Sequence, residues 1–175
     1  MRSALELFTE QGFEKTTTLE VAERAGVTER TFYRYFSDKR EVLFNASNEL
    51  QSVIIAAIDA APPSTDVLET VVTAMEAGAA VLEENRSYSQ ARAKVIAANP
   101  SLQERELLKF STMSAATSAA LRAKGVSPLA AAISAESGAT IFKIAFETWI
   151  GDDSAGTFAH CIRTTYNELR ALAQN

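Results

Sequence analysis

Two helix starts flanking a glycine turn constrain this chain more than any other feature, in the run T-T-L-E-V-A-E-R-A-G-V-T-E-R-T-F-Y-R-Y-F from Thr17 to Phe36. Thr17 followed by Glu20 has the spacing of a capping box, in which each side chain satisfies a backbone N–H of the other. Thr28 is the next cap candidate. Gly26 between them tolerates the positive φ of a tight turn. Val21, Ala22 and Ala25 read as the inward face of the first helix, and the two alanines are small enough for a second helix to cross closely. Val27 is expected to plug the corner. Phe32 and Phe36, one turn apart, are expected to anchor the second helix to a core.

A helix-turn-helix of this kind presents the N-terminal end of its second helix to the major groove of DNA. The side chains left outside are Thr28, Glu29, Arg30, Thr31, Tyr33, Arg34 and Tyr35, whose hydroxyls and guanidiniums suit phosphates and base edges. The net charge of −5 runs against a nucleic-acid partner. Its distribution does not: from Arg24 to Arg40 five basic residues (Arg24, Arg30, Arg34, Lys39, Arg40) face two acidic ones, Glu29 and Asp38. After residue 44, 10 Lys and Arg face 14 Asp and Glu, a balance of −4.

The rest of the 175 residues has helical apolar spacing and no convincing strand, with only 7 Gly and 4 Pro to interrupt it. An all-α fold of about nine helices follows. The first opens on Ala4, Leu7 and Phe8 and stops at Gly12. Asp38 with Glu41 predicts the start of a long fourth helix carrying Val42, Ala46, Leu50 and Ile54, broken at Pro62-Pro63. A fifth bears Val71, Val72 and Met75. A sixth bears Tyr88 and Val95 and ends at Asn99-Pro100. Ser101 with Glu104 is read as capping the seventh. Ser127-Pro128 starts the eighth, which Gly151-Asp152 ends. The ninth carries Phe158, Ile162, Tyr166 and Leu169. The natural division is a DNA-binding domain at 1–44 and a larger helical domain at 45–175.

Taken jointly, Gly12-Phe13, Thr16-Thr17, Ala22, Ala25-Gly26-Val27-Thr28, Thr31-Phe32-Tyr33, Phe36, Lys39 and Leu43 make the chain resemble the DNA-binding domain of TetR/AcrR transcriptional regulators. The resemblance covers nearly the first 45 residues. It implies that Thr17 and Thr18 contact phosphate, that Thr28, Arg30 and Thr31 face the groove, that Tyr33 and Tyr35 hold the backbone through their hydroxyls, and that Lys39 reaches a phosphate. Family members usually carry further residues before the first helix, often basic; here the start is either trimmed or makes fewer phosphate contacts. Glu29 is a second departure, an acidic residue where the resemblance places a DNA-facing position. It is expected either to cap its helix and pair with an arginine, or to accept from a cytosine amino group.

In TetR-like proteins the last two helices pair with those of a second copy. The stripes Ile133, Ile141, Ile144 and Phe158, Ile162, Tyr166, Leu169 fit that use, as they also fit a plain intramolecular core. A homodimer would space two probes by about one DNA turn, roughly 34–36 Å, on a palindromic operator. A ligand that tilts the fourth helix would change that spacing. Met75, Tyr88, Phe110, Met113, Phe142, Phe146 and Trp149 are the side chains available to line a site for an apolar or aromatic effector. Arg92, Lys94 and Lys109 are better read as solvated than as anion ligands.

No enzyme, cofactor or metal site is expected. His160 is the only histidine and Cys161 the only cysteine, and adjacent helical positions point about 100° apart. Cys161 reads as an apolar filler and His160 as a surface group. No apolar run reaches the roughly 18 residues that span a bilayer, so no membrane partner is expected and the location is cytoplasmic by default. The alternative to a DNA-binding repressor is a helical small-molecule or protein-binding module with vestigial DNA contacts.

Overall fold

The computed structural model describes residues 1–174, and among them nine α-helices and one short 3-10 turn. Contacts divide the chain into two compact units. The first holds Met1–Ser47 and Ser87–Lys109; the second holds Asn48–Arg86 and Phe110–Asn175.

In the first unit α1 (Arg2–Gln11) buries Ala4, Leu5, Leu7 and Phe8 and ends at Gly12, whose φ of 90° only glycine adopts readily. Helix α2 (Thr18–Arg24) starts on the expected capping box, with Thr17 accepting from the Glu20 N–H and Glu20 returning a bond to the Thr17 N–H. Helix α3 (Glu29–Tyr35) is capped by Thr28, which accepts from the Thr31 N–H. The turn between them closes through Val27 N–H to Ala22 O, with Gly26 at φ 70°. Val21, Ala22 and Phe32 are buried. Ala25 and Val27 are exposed, contrary to expectation: the backbone bond and the glycine shape the corner without an apolar plug.

The expected long fourth helix is interrupted. Glu41–Phe44 forms a 3-10 turn burying Val42, Leu43 and Phe44, and α4 (Ala46–Ala60) begins only after Asn45. Asp38 does not cap it; its carboxylate accepts from the backbone and guanidinium of Arg40. The first unit also takes in α6 (Arg86–Ala97) from Ser87 onward and the opening of α7 (Pro100–Ala123). The division at residue 44 therefore leaves out a necessary part. Val95, Ile96 and Leu102 complete the apolar cluster around Phe8, Phe13 and Phe44, because three short helices alone enclose too little apolar area. Helix α7 starts at Pro100, just ahead of the expected cap at Ser101.

In the second unit, α5 (Val67–Glu83), α8 (Pro128–Gly151) and α9 (Phe158–Leu172) pack against one another. Asp66, Ser127 and Thr157 cap their starts. The approach of α5 to α8 needs Gly138: a Cβ there would lie 2.3 Å from Val71 Cγ1. At the centre Phe158 stacks on Trp149 at 5.0 Å and meets Phe142 edge-on at 4.9 Å. Helix α8 is, among the described residues, the one helix long and apolar enough to cross a membrane by length and composition, which corrects the reading that no such segment exists. Its Ala131, Ala135, Phe142, Ala145 and Trp149 are buried in this core, as a central bundle helix requires.

Candidate nucleic-acid interface

Helix α3 has two chemically different sides. Phe32 is buried and packs against Phe36 at 5.3 Å. Arg30, Arg34, Tyr33 (52% exposed) and Tyr35 (68% exposed) stand in solvent. The buried anchor fixes the helix, so its exposed row is held at a defined orientation within the unit.

The five basic residues of the segment are not equivalent. Arg24 pairs with Glu10 at 3.0 Å and Arg40 with Asp38 at 2.7 Å. Arg34 donates to the Tyr35 hydroxyl at 3.1 Å and lies over its ring at 4.9 Å. Lys39 donates to the carbonyls of Phe13, Glu14 and Thr16 at 2.8, 3.2 and 3.1 Å and sits 4.3 Å from the Phe13 ring centroid. An ammonium has three protons, so Lys39 is fully engaged in tying down the loop after α1, where the resemblance implied a phosphate contact. Arg30 is the exception. It is exposed and, among the described residues, makes no hydrogen bond or ion pair.

The threonines divide similarly. Thr17 caps α2 and its hydroxyl donates to Glu20 at 2.8 Å. The Thr17 N–H and then its hydroxyl hold the Glu20 carboxyl below its ordinary range. Thr28 caps α3, with the Thr31 hydroxyl 3.0 Å away. Thr18 donates to Glu29 at 2.7 Å and lies 3.1 Å from the Tyr33 hydroxyl. Neither expectation for Glu29 describes this contact. Its partner is a hydroxyl on α2, a pairing across the turn that helical spacing does not reveal.

The expected effector residues separate. Met75, Met113, Phe142 and Trp149 are buried in the second unit, with Phe110 and Phe146 packed against them. Tyr88 instead packs in the first unit. Arg92 is not solvated: its Nε donates to Leu43 O at 2.6 Å and its guanidinium pairs with Glu106 at 3.2 Å. Lys109 likewise pairs with Glu41 at 3.1 Å. Of the expected pairing stripes, Ile141, Phe158, Ile162 and Tyr166 are buried inside the protomer and offer no surface to a partner. Ile133 (58% exposed), Ile144 and Leu169 are exposed, as is Leu172 beside them, and they are joined by Leu129, which the stripes omitted. The omission arose because α8 is apolar on several faces, so periodicity could not say which face is outward.

Cys161 is buried, donates to Ala155 O, and has its thiol pushed up by burial, so it is poorly suited to reaction. Among the described residues no group of His, Cys, Asp or Glu could hold a metal ion.

A short capped helix with one buried aromatic anchor and an exposed arginine–tyrosine row, set across a glycine turn from a second capped helix, defines the helix-turn-helix class of regulatory proteins. Residues 1–46 match the family described as bacterial regulatory proteins, tetR family. A curated relative, the HTH-type transcriptional regulator TcmR of Streptomyces glaucescens, is 36% identical over 77 residues, which cover 44% of this chain and 34% of that protein. The chain thus matches about a third of that relative's length. Among solved structures, a TetR-family protein from Syntrophomonas wolfei superposes with a TM-score of 0.65 at 20% identity, covering 99% of this chain and 92% of that one. Thermus thermophilus FadR, a TetR-family repressor solved with lauroyl-CoA, superposes with a TM-score of 0.51 at 20% identity, covering 95% and 89%. These likenesses extend the shared fold beyond the matched N-terminal domain. Residues 1–46 are thus similar in sequence to the tetR family of bacterial regulatory proteins, and the fold of the described residues is similar to that of TetR-family structures.

Proposed function

We propose that this chain is a cytoplasmic, DNA-binding transcriptional regulator that acts as a homodimer on a palindromic operator and is released from it by a small apolar or aromatic effector. The observation that carries the reading is α3: Phe32 buried beneath, Arg30 unengaged and exposed above, with Tyr33 and Tyr35 beside it. An unpaired guanidinium on a rigid helix suits bidentate contact with guanine O6 and N7. The pairing surface is the row Leu129, Ile133 and Ile144 of α8 with Leu169 and Leu172 of α9, large apolar side chains that a lone protomer leaves in water. The effector site is assigned to the second unit around Phe110, Met113 and Phe146. The fold neighbour's lauroyl-CoA supports an apolar ligand only by analogy of fold. Repression follows the family's common mode. By linkage, an effector that weakens DNA binding is itself bound more weakly when DNA is present.

Selection of bound sequences from random duplex DNA tests the reading, with light scattering on the same sample. The expected result is an inverted repeat with half-sites about one helical turn apart, recovered by a dimer that Ile133→Asp converts to monomer. A pool without enrichment sinks the DNA-binding reading; a monomer that selects a single half-site sinks only the dimer.

A further inference from the structure

The contact between Thr18, Glu29 and Tyr33 has a direction. A carboxylate accepts and does not donate. The single hydroxyl proton of Thr18 goes to Glu29 Oε1 at 2.7 Å, so at the 3.1 Å contact with Tyr33 it is Tyr33 that donates. The result is a relay from the Tyr33 hydroxyl to the Thr18 hydroxyl to the Glu29 carboxylate, joining the first turn of α2 to α3. Both hydroxyl protons point into the protein, although Tyr33 is half in water. A phosphate oxygen can take either proton only by displacing an internal acceptor. Glu29, half-buried in the first turn of α3, also places a negative charge at the helix end that the proposed function turns toward DNA, where it repels any DNA backbone.

We infer that Glu29 is a positioning residue that sets selectivity between the operator and other DNA. This rests on the DNA-binding reading above. The relay reserves the Thr18 and Tyr33 hydroxyls and presets the Tyr33 ring, while the charge disfavours binding through the backbone alone. At a matched site, base contacts by Arg30 offset both effects. On unmatched DNA nothing does, since non-specific binding rests on phosphate neutralisation.

The test measures affinity for a selected operator and for a random duplex across a salt series, using full-length wild type, Glu29→Gln and Glu29→Ala, with a thermal melt of each. The glutamine oxygen still accepts from Thr18 but carries no charge. Glu29→Gln is expected to raise random-duplex affinity about threefold or more, with a smaller gain at the operator, so that the ratio falls. Glu29→Ala is expected to raise random-duplex affinity similarly but to lose operator affinity relative to the glutamine variant, because the hydroxyl relay has lost its end. Parallel losses at both duplexes that track a lowered Tm would mark Glu29 as merely structural and overturn the inference. So would an unchanged ratio in the glutamine variant. A wild-type chain that binds no duplex removes the DNA-binding reading itself, and this inference with it; binding by wild type with unchanged ratios in the variants removes this inference alone.

Discussion

The two units hold themselves together by different means. The second concentrates its aromatic side chains in one buried cluster, with Phe158 touching Phe142, Phe146 and Trp149. Cations brace it around that cluster: Arg163 of α9 pairs with Glu69 and with Glu76 at 2.6 Å on α5, the Glu76 bond doing most to raise its pKa, while Arg86 donates to the carbonyls of Trp149 and Asp152 and Lys124 to those of Asp59 and Ala61. The first unit has short helices, and cations tie them where apolar area runs out. Lys39 holds the loop after α1, Arg92 holds Leu43, and Arg105 and Lys109 hold Glu41. The lesson is that cations in a DNA-binding unit divide between the fold and the ligand, so that counting basic residues overstates those left for phosphate.

The aromatic cluster provides the largest expected effect. Phe158 is fully buried, and Phe158→Ala is expected to lower stability by about 3–5 kcal/mol. Chemical denaturation measures this. A loss under about 1 kcal/mol would mean that the second unit does not depend on its aromatic centre as the comparison requires.

The first unit was the more legible in sequence, and the reason is local. Capping boxes, glycine turns and anchors one helical turn apart act over a few residues, so Thr17, Glu20, Gly26, Thr28 and Phe32 declare themselves. Lys39 and Glu29 do not, because their partners lie across the fold: Lys39 reaches the carbonyls of Phe13, Glu14 and Thr16, and Glu29 reaches Thr18. The break at Asn45 was hidden for another reason. Val42 continues the apolar pattern of α4, and periodicity alone does not separate a 3-10 turn from a first helical turn. In the second unit the helices were plain and their faces were not. Ile141 and Ile144 look alike in sequence, yet one is buried and the other is 47% exposed.

Arg30 and Lys39 sharpen the division of cations. Arg30→Ala is expected to weaken operator binding by about 1–3 kcal/mol and to relax preference at one base pair. Lys39→Met keeps the apolar stem over Phe13 and removes the bonds to three carbonyls. It is expected to lower stability by about 1–2 kcal/mol, while the salt dependence of DNA affinity stays as in wild type. Were Lys39 a phosphate ligand, the salt slope would instead drop by about one. Titrating both variants against the selected operator at several salt concentrations separates the two roles.

Glu41 gives the smallest effect and the one with a pH signature. Burial acts to raise its pKa, but the bonds from Arg105 at 2.5 Å and Lys109 at 3.1 Å outweigh that and hold it below the ordinary 4.5. A carboxyl whose pKa is lower in the folded state contributes stability that is fully present above its unfolded pKa. That contribution disappears as pH falls through the folded value, so the window opens below 4.5. Glu41→Gln is expected to cost about 1 kcal/mol at neutral pH. The gap from wild type should narrow as the solution is acidified through that window. Denaturation of both proteins across the acidic range measures the gap, and a constant difference at every pH would show that the cations around Glu41 hold the first unit by packing and not by charge.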